Sequence, residues 1–207
     1  MLQNLYDRYA CPYFINWAMQ AKPIKKQREK VIPLARGRVL EIGMGSGLNL
    51  EYYNKSLVNE VFAVEPDNIL LEKAKKRALQ SNIDLNIQKL KAESMPFENN
   101  TFDTVVSTYT MCSIAKLENA LEEVKRVLKK DGSFIFSEHG KSPDKNIHKW
   151  QKRLNPIQKR LGGGCHLDIN IPEVINNVNL KIYKIDSMYI PGPKFLSYHY
   201  WGSAIIK

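Results

Sequence analysis

The stretch Val39-Leu40-Glu41-Ile42-Gly43-Met44-Gly45-Ser46-Gly47 constrains this chain more than any other. An apolar run ends in an acid and then breaks into glycines at alternate positions. A buried strand running into such a turn brings backbone close to a ligand. Glycine serves there because it tolerates positive φ and has no Cβ to block the approach. The dinucleotide fingerprint G-x-G-x-x-G also follows a strand. Starting at Gly43 it needs glycine where Leu48 stands, and starting at Gly45 it needs glycine where Leu50 stands. The spacing is E-x-G-x-G-x-G instead, which disfavours a nicotinamide-dependent oxidoreductase.

Downstream, apolar runs alternate with helical patterns. Residues 48–53 are expected to open a first crossover helix. Val61-Phe62-Ala63-Val64 reads as a second buried strand ending at Glu65-Pro66. Asp67 begins a helix to residue 81, with Lys73, Lys75, Lys76 and Arg77 toward its negative pole. Residues 85–90, 101–107 and 133–137 read as strands three to five. Leu117, Ala120, Leu121, Val124 and Leu128 make a helical stripe, expected to end at Asp131-Gly132. Residues 171–178 fit one more short helix, and 180–188 and 197–206 fit two closing strands. Continuous β-branched and aromatic runs suit a parallel sheet covered on both faces, and the alternation implies right-handed βαβ units. The expectation is an α/β fold: a doubly wound, mostly parallel seven-stranded sheet in one domain, 1–207.

Two segments lie outside that pattern. Residues 1–36 read as an N-terminal helical cap. Within it Tyr6, Tyr9, Tyr13, Phe14 and Trp17 are spaced near-helically and Pro12 marks a kink or restart. Residues 22–35 form a second, basic helix leading to the first strand. The aromatic stripe would cover a ligand, pack on the core or rest at a membrane interface. Residues 141–164 read as a basic helical insertion after strand five, closed by Gly162-Gly163-Gly164. Lys141, Lys145, Lys149, Lys152, Arg153, Lys159 and Arg160 there face one acid, Asp144.

Composition sets outer bounds. With 207 residues, 43% of them hydrophobic, the chain can bury one substantial core. No apolar run approaches the roughly 18 residues of a membrane span, and residues 1–9 do not resemble a secretory signal. Cys11, Cys112 and Cys165 lie far apart without metal-ligand spacing, which argues for a reducing cytoplasm and against a disulfide frame or metal site. The formal net charge of +10 favours acidic partners: nucleic acid, an anionic membrane surface or an anionic substrate.

The glycine motif resembles the first motif of the class I S-adenosylmethionine (SAM) dependent methyltransferases, whose fold is Rossmann-like. More specifically, the chain is similar to a small-molecule branch that includes the thiol methyltransferases of animals and their bacterial relatives. Carrying the likeness are Leu40-Glu41-Ile42-Gly43, Gly45-Ser46-Gly47-Leu48-Asn49-Leu50, Val64-Glu65-Pro66 and Ala92-Glu93-Ser94-Met95-Pro96-Phe97. Thr108-Tyr109-Thr110-Met111-Cys112-Ser113, Ser137-Glu138-His139, Gly164-Cys165-His166-Leu167 and Gly202-Ser203-Ala204 continue it. The resemblance implies SAM as cofactor and a small-molecule acceptor such as a thiol, and the basic insertion, set against anionic lipid, would add a quinone or lipid-like one. It implies that Gly43, Met44, Gly45 and Gly47 line the methionine part and that Glu41 reaches its ammonium through backbone or water. Glu65, with two acceptor oxygens, would bind the ribose hydroxyls. Pro66, Asn68, Ala92, Glu93, Ser94 and Thr108 would complete the cofactor contacts.

Methyl transfer mainly needs positioning, with a base only where the acceptor must lose a proton. Tyr109, Cys112, Glu138, His139, Cys165, His166 and Asp168 are the acceptor-side candidates, with His139 and Tyr109 foremost. Ser94, Asp168 and Ile169 depart from the animal enzymes, so thiol specificity does not carry over. The rivals are a nucleic-acid methyltransferase and a non-catalytic SAM-binding protein. Against the first, Ser107-Thr108-Tyr109-Thr110 is not the Asp/Asn-Pro-Pro-aromatic signature, Met111-Cys112 is not Pro-Cys, and no RNA-binding module is visible. The basic insertion is expected to act as a mobile lid, with Trp150 and Leu154 inward, its lysines toward anionic lipid and the glycines as hinge.

Overall fold

The computed structural model describes residues 2–207, so Met1 of the expected cap lies outside the described residues. Among them, seven strands form one sheet: β1 (Gly37–Ile42), β2 (Val58–Val64), β3 (Leu85–Gln88), β4 (Phe102–Thr108), β5 (Leu128–His139), β6 (Leu180–Tyr189) and β7 (Tyr198–Ile206). The order is β3-β2-β1-β4-β5-β7-β6. Strands β1 to β5 run parallel, and β7 lies antiparallel between β5 and β6. The sheet is thus doubly wound and mostly parallel, as expected.

Alternate strand residues feed two cores. Val39, Val106 and Ile135 pack on one face with Val31, Ile32, Leu50 and Ala74. Leu40, Val105, Phe134 and Phe136 pack on the other with Ala120, Leu121 and Val124. Both faces are covered, so the strands read as unbroken apolar runs. The helices are α1 (Leu2–Leu5), α2 (Cys11–Ala18), α3 (Lys22–Val31), α4 (Asn68–Ser81), α5 (Leu117–Val127), α6 (Lys145–Leu161) and α7 (Ile171–Asn177). A π-helical turn, Tyr6–Ala10, precedes α2, and Pro12 stands in the first turn of α2, where its missing N–H costs nothing. Asp67 and Asp144 cap α4 and α6, accepting from Leu70 N at 2.9 Å and Asn146 N at 2.7 Å.

Three local expectations fail for identifiable reasons. The crossover after the glycine turn is a single 3-10 turn, Leu50–Tyr52, and no helix. Asn49 and Tyr53 are drawn inward to bond Glu41, and an Asn54 turn then starts β2 three residues early. Helix α5 stops at Val127, because Leu128 pairs with Phe102 and Asp131-Gly132 falls in the resulting bulge of β5. The cations of α4 miss its last turn. Arg77 donates to the Ser46 carbonyl, tying the helix to the glycine turn.

From β1 the chain winds outward through β2 and β3, then returns to β4 on the other side. The carboxyl ends of β1 and β4 therefore flank a topological switch point, where open α/β sheets bind ligands. The glycine turn leaves β1 there.

Candidate active site

The turn after β1 carries Gly43 (φ 62°) and Gly45 (φ 59°) in the left-handed region. A Cβ on Gly43 would overlap the Thr110 side chain, whereas Gly45 has nothing within 4 Å and offers bare backbone to the cleft. Glu65, at the end of β2, is 5% exposed. Its Oε2 accepts from Gly45 N at 2.7 Å and its Oε1 from Asp67 N at 2.8 Å. Burial raises its pKa, and the two amides pull it back. Each oxygen keeps a second lone pair for a ligand hydroxyl.

A cleft of about 330 Å³ opens over this carboxylate. Gly43, Gly45, Glu65, Pro66, Asp67, Leu70, Ala92, Glu93, Tyr109 and Thr110 line it from the sheet, and Asp7, Cys11, Pro12 and Ile15 close it from the N-terminal helices. Met44 and Thr108 line a smaller space beside it, with Arg28 and Tyr109. The bare Gly45 backbone, the strand-end carboxylate and the apolar walls at Leu70 and Ala92 fit a nucleoside carrying an amino-acid arm, as in SAM.

Four residues expected at the cofactor are not among those lining the cleft: Glu41, Gly47, Asn68 and Ser94. The Glu41 carboxylate is buried, accepting from Asn49 Nδ2 at 2.9 Å and Tyr53 Oη at 2.7 Å. Gly47 lets the turn pack on α4, since a Cβ there would stand 3.1 Å from Ala74 Cα. Asn68 and Ser94 are exposed, and Asp67, Leu70 and Thr110 take up the lining instead. Asp67 was visible as a helix cap. The N-terminal lining had no sequence signal beyond its aromatic stripe.

Beside the cleft lies a second cavity of about 340 Å³. Phe14, Ala18, Ile24, Ile190, Pro191 and Leu196 make its apolar walls, and Cys112, His139, Cys165 and His199 its polar end. Tyr109 lines both spaces. Its backbone has φ 55°, its ring lies 5.2 Å from the Arg28 guanidinium carbon, and it meets the His199 ring edge-on at 5.5 Å. Its phenol has no hydrogen-bond partner, and burial pushes its pKa well up.

The left-handed turn at Tyr109 is held by Glu138. That buried carboxylate accepts from Ser107 Oγ at 2.8 Å, Thr110 N at 3.0 Å and Met111 N at 3.3 Å. Burial raises its pKa to about 7 against those bonds. Glu138 therefore shapes the site without lining it. His166 ties its backbone N–H to Cys112 O at 2.9 Å, Asp168 accepts from Asn155 Nδ2, and neither is among the residues lining the cavity. The reading of the cysteines as scattered holds for Cys11 alone. The fold brings Cys112 and Cys165 together at His139, with Nε2 3.1 Å from Cys165 Sγ. Their separation in sequence hid this, because three different elements supply the groups.

A family described as a methyltransferase domain matches residues 40–136. The chain is 34% identical over 134 residues to thiol S-methyltransferase TMT1B of Rattus norvegicus, covering 62% of this chain and 54% of that protein. It is 24% identical over 192 residues to phosphatidylethanolamine N-methyltransferase of Cereibacter sphaeroides, covering 92% of each. It thus spans about half the length of the first relative and nearly all of the second. The crystal structure of YcgJ from Bacillus subtilis superposes with a TM-score of 0.69 at 18% identity, over 84% of this chain and 93% of that one. Residues 40–136 thus match a methyltransferase domain, and the fold is that of SAM-dependent methyltransferases. Within them it is similar to the thiol methyltransferase branch, and SAM is the cofactor that family and fold imply.

Proposed function

We propose that this protein transfers the methyl group of SAM to an apolar small-molecule acceptor held in the cavity behind Tyr109. The observation that carries the reading is that cavity: mostly apolar, polar at one end, and meeting the Glu65 cleft at Tyr109, with Ile15 and Ser113 bordering both spaces. When bound, SAM supplies a sulfonium methyl that is already activated by its charge. The chain's own task is then placement and exclusion of water, which can supply much of the rate. Glu65 and the Gly45 backbone fix one end of the cofactor. Arg28 and His199 hold Tyr109 as a rigid wall, and His139 orients the acceptor from the polar end.

Thiol, quinone and lipid-like acceptors all fit an apolar chamber of this size. The two relatives named above methylate, by their names, a thiol and a phospholipid, which supports this range. The cavity is bordered by Phe14, on the same helix as the 72% exposed Trp17, and α3 adds Lys22 and Lys26. We read this rim as a peripheral contact with anionic membrane, from which an apolar acceptor would enter. No helix among the described residues is long and apolar enough to cross a membrane.

The test is incubation with methyl-labelled SAM and separate thiol, quinone, phospholipid-vesicle and RNA acceptors. Label on at least one of the first three, reduced by Tyr109→Ala and His139→Ala, is the expected result. Label on RNA alone would transfer the reading to a nucleic-acid methyltransferase. SAM binding with no transfer to any acceptor would make it a SAM-binding protein.

A further inference from the structure

The sulfur and nitrogen atoms of Cys112, His139 and Cys165 lie within 4.8 Å of one another, and all three residues are buried. It is the one such group of potential metal ligands among the described residues. We propose that these three side chains hold a zinc-type metal ion whose fourth coordination position opens into the cavity behind Tyr109. The geometry needs little adjustment. Tetrahedral ligands at Zn–S of about 2.3 Å and Zn–N of about 2.0 Å stand roughly 3.5–3.8 Å apart. The 3.1 Å His139–Cys165 separation and the 4.8 Å limit bracket that range.

The donors suit the ion, since two thiolates and one imidazole are ligands that zinc takes in sites with an open position. Binding would release the two thiol protons to solvent. Two thiolates would then balance a divalent charge, leaving a neutral centre among apolar walls. The ligands are also held in place before any ion arrives. Glu138 clamps the backbone of Thr110 and Met111 just ahead of Cys112. The His166 N–H bonds the Cys112 carbonyl at 2.9 Å and ties the Cys165 loop to it. His139 sits at the end of β5, paired in register with His199. Its Nδ1 has no hydrogen-bond partner, and Nε2 is the nitrogen that faces the thiol. Cys112, His139 and Cys165 all line the cavity, so a fourth ligand would arrive from the proposed acceptor side. The metal site rests on that reading only for the role of the fourth position.

The experiment titrates the reduced, metal-stripped full chain with Co²⁺ in the absence of oxygen. One equivalent should bind, giving thiolate-to-cobalt charge-transfer absorption and the visible bands of a tetrahedral site, both abolished by added Zn²⁺. Cys112→Ser and Cys165→Ser should each weaken Co²⁺ binding at least tenfold and lose charge-transfer intensity. Cys11→Ser, whose thiol points at the Leu161 carbonyl, should change neither. A small thiol such as 2-mercaptoethanol should intensify the charge-transfer band, and an unchanged spectrum would overturn the open position. If the serine variants do not fold, zinc X-ray absorption on the wild-type chain decides, with two sulfur ligands and one nitrogen ligand from protein expected. SAM affinity is measured on the same samples. A chain that binds SAM but takes up neither Co²⁺ nor Zn²⁺ overturns the metal site and leaves the methyltransferase reading intact. Metal uptake without SAM binding does the reverse.

Discussion

Glu41 shows how one buried acid can shape a stability profile without touching a ligand. Burial raises its pKa from an ordinary 4.5 to about 7, against the bonds from Tyr53 and Asn49 and the attraction of Arg28. Between those values the folded chain keeps a proton that the unfolded chain has lost. Stability must therefore fall as pH rises across that interval and level off above it. The loss assigned to Glu41 is on the order of a few kcal/mol. Glu41→Gln removes the titration, so its urea-unfolding free energy should decline less than wild type from pH 4.5 to 7. Parallel declines would mean that Glu41 stays ionised in the folded chain. The sequence showed that an acid ends the first strand beside a glycine turn, and that much was legible. Which face the carboxylate takes depends on Asn49 and Tyr53 folding back over it, in a crossover that reads as the start of a helix. Glu65 was easier to place, because a strand-end acid at the switch point has the cleft in front of it.

At the scale of elements, α6 shows where hydrophobic patterning stops being informative. The expected inward residue Trp150 is 54% exposed, and the fully buried residue of that face is Gln151. Its Nε2 donates to the carbonyls of Gly140, Leu167 and Phe195 at 2.9, 2.9 and 3.2 Å. Its Oε1 accepts from Ser142 N at 3.0 Å. Asn155 adds a bond from Leu167 N at 2.7 Å. A helix fastened to three segments in this way is expected to hold its place as a wall of the cavity. The expected hinge glycines pack as well, since a Cβ on Gly163 would stand 3.1 Å from Ile15. Gln151→Ala strands several buried backbone groups, each costing about 1–3 kcal/mol when unsatisfied. We expect a loss of about 3 kcal/mol in urea unfolding and slow amide exchange along α6 in the wild-type chain. Exchange there as fast as at the chain ends would restore the lid. Elements built on apolar periodicity, such as α5 and the strands, were legible. Here a polar side chain does the anchoring, and no hydrophobic pattern can report it.

The whole molecule joins a cationic surface to an aromatic rim. Tyr13, Phe14 and Trp17 on α2 are 55%, 48% and 72% exposed, on a chain of net charge +10. Near anionic lipid each lysine or arginine contributes on the order of 1 kcal/mol. The paired substitution Phe14→Ser with Trp17→Ser should therefore reduce sedimentation with anionic liposomes severalfold while leaving SAM affinity unchanged. Undiminished sedimentation would remove the rim from any membrane contact. The central claim, that Glu65 and the glycine turn hold SAM at the switch point, is tested most directly by calorimetry. The wild-type chain should bind one SAM. Glu65→Ala should bind it roughly 10- to 100-fold more weakly, the effect of losing hydrogen bonds to a charged group worth about 1.5–3 kcal/mol. Unchanged affinity in a folded Glu65→Ala chain would contradict the account.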